Sequence, residues 1–240
     1  MPTGMSVDAI LDIVESNKNL RKLEIASNRI GREHIERLCS AVHNHALVEL
    51  DLSGCFEPGI GDEMLTCLLT IDGLKLEKLV MYDNNITSGV STLLADFLAT
   101  NPRLKELDVV GNNLNDSDVA LIANALRSNK TLRSLRLGGS NCQGTTQVVL
   151  IPTLSTEKLI RGHSITEVGK ESLRLVLYDE SSLNAAADSN HICTVDLGWK
   201  AFDDYNSHDE GHINRGWKIY SVLSTRNEMM SMFSILVTLM

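Results

Sequence analysis

Five times between Leu20 and Leu137 the chain writes the pattern L-x-x-[LI]-x-[LVIM]-x-x-[NCS], starting at Leu20, Leu47, Leu76, Leu104 and Leu132. The starts lie 27, 29, 28 and 28 residues apart. A period of about 20 to 50 residues marks stacked supersecondary units rather than a globule closed around one core. In the first half of each unit Leu23 and Ile25, Leu50 and Leu52, Leu79 and Met81, Leu107 and Val109, and Leu135 and Leu137 lie two apart, on one face of a short strand. The second half changes period. Ile35, Leu38 and Val42, then Val119, Ile122, Ala123 and Leu126, follow the spacing of one helix face. A lone strand–helix unit cannot bury its apolar side, but stacked units line their strands into a parallel sheet and their helices into a second layer. The expected fold class is an α/β solenoid with the sheet on the concave face and the helices on the convex face.

Two landmarks recur at the period. Asn28, Cys55, Asn84, Asn112 and a degraded Ser140 follow the strands, where a side chain that bonds backbone satisfies groups exposed by the bend toward the helix. Asn17, Asn44, Asn101 and Asn129 stand three residues before Leu20, Leu47, Leu104 and Leu132, with Asp72-Gly73 in the third unit. Asn and Gly tolerate the left-handed conformation, so these positions are expected to end helices. Together the motifs resemble the leucine-rich repeat proteins of the ribonuclease-inhibitor-like class, whose units run to about 28 residues with a full helix on the convex side. The resemblance covers Leu20 to Leu137, and Val7–Val14 reads as the back half of a unit whose strand is missing. The array is expected over residues 1–177, clear from about 20 to 142 and degenerate over 143–177, followed by an irregular capping segment and tail over 178–240. Ser189-Asn190-His191 and Arg226-Asn227-Glu228 resemble an end-of-array segment of such proteins, which implies a last strand over Ile192–Leu197.

A formal charge of −9 disfavours nucleic-acid and anionic-membrane partners, because both are recognised through clustered positive charge. A basic or mixed-charge protein suits the composition better. Cys39, Cys55, Cys67, Cys142 and Cys193 are odd in number and lack C-x-x-C spacing, so they read as reduced thiols of an intracellular, cytoplasmic protein. The start carries Asp8, Asp12 and Glu15 and no basic segment, unlike a signal peptide. The apolar run from Met229 spans 12 residues, short of the roughly 20 that cross a bilayer.

No nucleophile elbow, phosphate loop or dinucleotide motif occurs, and no cofactor is implied. His34, Cys39, His43 and His45 invite a zinc reading, but their directions diverge around the cap residue Asn44, so no metal site is expected. No catalytic residue is expected either, because paired carboxylates on an open sheet lack the burial that keeps one of them protonated. The exposed strand positions remain, and with their flanks they supply the candidate protein-binding residues: Glu24, Glu49, Asp51, Lys78, Tyr82, Glu106, Asp108, Arg133 and Arg136. Tyr82, an aromatic on an exposed face, is the best single anchor. The expected function is a noncatalytic protein-interaction module. The repeat class also admits a GTPase-activating regulator of a small GTPase, or a sensor-repeat fragment of a larger receptor.

Overall fold

The computed structural model describes residues 6–45, 47–138, 164–197, 205–207 and 210–238, with the side chains of the last helix to residue 227. Six three-residue strands, β1 Lys22–Glu24, β2 Glu49–Asp51, β3 Lys78–Val80, β4 Glu106–Asp108, β5 Ser134–Arg136 and β6 Thr194–Asp196, form one sheet in chain order. Every pairing is parallel, and Leu23, Leu50, Leu79, Leu107, Leu135 and Val195 sit in register. Helices alternate with the strands: α1 Val7–Ser16, α2 Ile35–Asn44, α3 Ile60–Leu69, α4 Ser91–Ala99, α5 Asp116–Ser128 and α6 Glu167–Leu177, then α7 Leu183–Asp188 before β6 and α8 Gly211–Thr238 after it. The central residue of each strand, leucine in β1 to β5 and Val195 in β6, faces the helices. One continuous apolar core runs from Leu11 to Leu197 between the two layers. The chain is an open α/β solenoid.

What holds unit to unit, beside the leucines, is the row of polar side chains after the strands. Asn112 is fully buried. Its Oδ1 accepts from the backbone N–H of Asn84 (3.0 Å) and Ile86 (2.9 Å), and its Nδ2 donates to the carbonyls of Met81 (2.9 Å) and Val109 (2.7 Å). Asn84 repeats this one unit earlier, taking the N–H of Cys55 and Phe56 and donating to Leu52 O. Cys55 donates its thiol to Ile25 O. Each side chain thus completes the backbone of the unit before it, where the chain leaves the strand and has no ladder partner. The turn also needs a left-handed residue immediately before each landmark: Ser27 (φ 60), Gly54 (φ 63), Asp83 (φ 52) and Gly111 (φ 73).

The helix-end asparagines depart from expectation. Asn101 is left-handed (φ 56), as is Gly73 (φ 65), but Asn129 is extended (φ −73, ψ 126). Asn129 acts through its side chain instead, donating to Leu98 O of the previous helix and accepting the N–H of Thr131 and Leu132. The cysteines differ too. Cys39 on α2 and Cys67 on α3 form a disulfide, Cα to Cα 6.4 Å, which overturns the reading of five free thiols. They lie 28 residues apart, one repeat period, so stacking sets them side by side although no short Cys spacing announces it. Cys55 and Cys193 are buried free thiols, their pKa pushed up by burial to about 11 and about 12. Cys142 lies outside the described residues.

β6 pairs with β5 across 60 residues of sequence rather than 28. In this stretched fifth unit α6 takes the helix place beside α5, fixed by Asp116 accepting from Thr166 N (2.7 Å), Thr166 Oγ1 (2.5 Å) and Gly169 N (3.1 Å). The degenerate stretch 143–161 and Ser140 lie outside the described residues. The segment expected to be irregular contains α7, β6 and α8. Lys218 of α8 is fully buried and donates to Leu177 O, Asn190 O (3.0 Å) and Asn206 Oδ1 (2.6 Å), three oxygens for the three donors of an ammonium. Burial alone pulls its pKa down to about 7. Tyr178 packs against Tyr205 and Trp217 beside it.

Replacing Asn112 by Ala leaves buried donors and acceptors in two units unpaired and is expected to cost at least about 3 kcal/mol. Asn28→Ala removes bonds only to its own unit, Ile25 O and Ala26 O, and is expected to cost about 1 kcal/mol or less. Urea unfolding midpoints of the two variants check the difference.

Candidate protein-binding surface

Because side chains alternate along a strand, the residues on either side of each central leucine point away from the core. The register stacks them in two rows. Lys22, Glu49, Lys78, Glu106 and Ser134 form one, and Glu24, Asp51, Val80, Asp108, Arg136 and Asp196 the other. All of them but Asp196 line a shallow trough of about 290 Å³ along the sheet.

The first row alternates in sign, and neighbouring strands are close enough for the charges to meet. Lys22 Nζ reaches Glu49 at 3.4 Å and Glu24 at 2.8 Å, and Lys78 reaches Glu106 at 2.8 Å. Bonds to Glu24, then Glu49, hold the Lys22 ammonium above its usual pKa, and Glu106 does the same for Lys78. In the second row Arg136 bridges two strands, to Asp108 at 2.6 Å and Asp196 at 3.3 Å. The attraction of Asp108 is the main cause that raises the Arg136 pKa. Asp108 is nearly buried, 9% exposed, and also accepts the N–H of Val110. Asp51 folds its carboxylate back onto Ser53, taking its N–H at 2.9 Å and its hydroxyl at 2.5 Å.

Seven of the nine candidate residues therefore meet in the trough: Glu24, Glu49, Asp51, Lys78, Glu106, Asp108 and Arg136. Two do not. Arg133 sits in the turn before β5, and Tyr82, 44% exposed, sits in the turn after β3 against Gly111. Asp196 joins the second row from a strand outside the five clear repeats, and only the register of β6 reveals it. Lys22, the register partner of Glu49 on the adjacent strand, belongs to the trough as well. Of the residues that invited a metal reading, Cys39 is bonded to Cys67, His34 Nδ1 accepts the N–H of Gly31, His43 is an exposed helix residue and His45 is buried.

The geometry of strand, asparagine turn and helix recurs at one period, and the family model described as leucine rich repeat matches residues 16–38 and 100–123. The chain is built of leucine-rich repeats. Among solved structures, the leiomodin-1 actin-binding site 2 is 10% identical over 98% of this chain and 99% of that chain, with a TM-score of 0.37. The tropomodulin C-terminal domain from Caenorhabditis elegans is 13% identical over 96% of this chain and 99% of that one, also with a TM-score of 0.37. A likeness at that score says nothing about what the leucine-rich repeat chain binds. No curated protein matches it in sequence. No helix among the described residues is long and apolar enough to cross a membrane.

The two kinds of ion pair in the trough should differ in worth. Arg136→Ala strands the nearly buried Asp108 carboxylate and is expected to lower stability by about 1 kcal/mol, the exposure of Arg136 itself limiting the loss. Lys78→Ala breaks a pair with both partners half exposed and is expected to change stability by about 0.5 kcal/mol or less. Urea titrations at low and high salt separate them, since only the exposed pair is screened away.

Proposed function

We propose that this leucine-rich repeat chain is a noncatalytic protein-interaction module that receives a basic or mixed-charge segment of a partner protein along the trough. The observation that carries the reading is the charge balance there: five carboxylates against three cations, with each cation already engaged by at least one carboxylate. The surplus negative charge gathers at the β1–β2 end, where Lys22 bridges Glu24 and Glu49 while Asp51 is bonded to Ser53. Lysines or arginines of a partner complement that surplus, and complementary charge steers association and sets register. Glu106, Asp108, Lys78 and Arg136 then act as a second, self-paired zone that favours a segment of mixed charge. Tyr82 and Arg133 flank the zone as contacts outside the trough.

The period of 27 to 29 residues with a helix in every unit supports placing the chain in the ribonuclease-inhibitor-like class. The division into an array over 1–177 and a capping region over 178–240 belongs to the same proposal. A cytoplasmic scaffold role fits the module reading. An open trough whose carboxylates are bound to lysines and an arginine suits docking better than proton transfer, which needs an acid held neutral by burial. No feature of the site favours the GTPase-regulator or receptor-fragment reading over this one.

The test is Glu24→Lys with Asp51→Lys, two positions without a role in the core. Binding of a panel of lysine- and arginine-rich peptides, read by fluorescence anisotropy at two salt concentrations, is expected to weaken about tenfold or more. Affinities unchanged by the double variant would place the partner surface elsewhere.

A further inference from the structure

The turns that lead from helix to strand form one edge of the solenoid, and that edge has the opposite charge to the rest of the chain. Between α1 and β1 stand Lys18 and Arg21. The corresponding turns of the third to fifth units hold Lys75, Arg103, Lys105, Lys130 and Arg133, against only Asp72 and Glu77. The turns on the opposite edge, from strand to helix, hold Arg29, Arg32, Glu33, Glu57 and Asp83 through the fourth unit, a balance close to neutral. Part of the basic edge answers the helices themselves, because all five helix C-termini of α1 to α5 lie there and each carries about half a negative charge. Five such ends account for about 2.5 charges, and the excess of seven cations over two carboxylates is about twice that. Glu77 is already bound to Lys105 at 2.7 Å. Arg103 adds its attraction to the same Glu77 from further away, and among the described residues no carboxylate lies within 4.0 Å of the charged nitrogens of Lys75 or Arg103.

Between those two cations the helix layer opens. At their N-terminal ends α3 and the turn into α4 are clamped by Asp62, which accepts from Thr87 N (2.8 Å) and Thr87 Oγ1 (2.6 Å). At the C-terminal ends the neighbouring pair, α4 and α5, is stapled by Asn101, which donates to Ser128 O and accepts from Lys130 N, and by Asn129, which donates to Leu98 O. The position equivalent to those asparagines in the third unit is Gly73, which has no side chain to reach across. α3 and α4 therefore part at that end, and a groove of about 640 Å³ lies between them. Ile71, Leu93 and Phe97 form its half-buried apolar floor, and Asp72, Lys75 and Arg103 stand on its rim.

We infer that this edge is a second interaction surface, which docks an acidic segment of a partner protein by seating one large apolar side chain in the α3–α4 groove between Lys75 and Arg103. Charge selects the segment and the groove supplies its anchor, the arrangement in which a few buried apolar contacts carry most of an interface. The occupant is of the opposite charge to the one proposed for the trough, so the two surfaces are separable. Apolar floor and backbone-length groove distinguish a protein segment from a polyphosphate, which needs cations but no apolar seat.

The experiment selects a phage-displayed library of random dodecapeptides on the full chain and measures the enriched peptides as synthetic ligands. Enrichment of an aromatic or large aliphatic residue flanked by Asp or Glu is expected. Affinity should fall about tenfold or more with Lys75→Glu plus Arg103→Glu, and likewise with Thr100→Trp, which fills the groove from its exposed wall. Glu24→Lys with Asp51→Lys should leave it unchanged, so failure here and failure of the trough proposal read out separately. All three positions are exposed, and circular dichroism confirms that the variants fold. No enrichment, enriched peptides without the apolar–acidic pattern, or equal affinity for the charge-reversed variant would overturn the inference. Binding of a 20-nucleotide RNA or of phosphatidylserine vesicles that is lost in the charge-reversed variant but kept in Thr100→Trp would also overturn it, assigning the edge to phosphate recognition.

Discussion

Each unit here is completed by its neighbour. A three-residue strand and a ten-residue helix cannot exclude water from their leucines, and helices of that length are marginal alone in water. Leu50, Leu79 and Leu107 are dry because a leucine in register lies on either side. The polar counterpart is as dependent: the amide of Asn112 closes the backbone of the third unit, and that of Asn84 closes the second. Apolar burial drives the stacking, while the asparagine row fixes its register, because an unpaired backbone group in that layer costs about 1–3 kcal/mol.

The candidate surfaces are by-products of the same dependence. Stacking in register lines up outward side chains, so single residues become rows, and rows at strand spacing become ladders of ion pairs. Stacking also lines up the helix ends, which collects the cations of separate turns on one edge. Where one unit lacks the residue that staples its helix end, as at Gly73, the layer opens without disturbing the sheet. The array tolerates this because the sheet side and the helix N-terminal side of that unit are still held.

The fold was largely legible because its determinants repeat. The strand pairs Leu23–Ile25 through Leu135–Leu137, the helix faces and the asparagine row all follow from one period, and the strand within Ile192–Leu197 emerged from a resemblance at the end of the array. What escaped is what the period does not carry locally. The left-handed residue before each landmark is Ser, Gly, Asp and Gly in turn, a position defined by conformation rather than by side chain. The Cys39–Cys67 bond is spelled at the repeat spacing, where a search for short cysteine motifs does not look. Lys218 lies in a polar-looking helix, and only the three oxygens around it explain its burial. At the site, the rows were readable from alternation, but the ion pairs depend on how far side chains reach across strands. Arg133 and Tyr82 fell outside the trough because each lies beyond a strand end, where the chain turns away.

The mutual dependence of units is tested most directly by hydrogen exchange, read by mass spectrometry, on the full chain with Leu79→Ala. The cavity is confined to the third unit, yet this account predicts that amides of β2 and β4 lose protection together with those of β3. Loss restricted to the third unit, with its neighbours protected as before, would contradict it.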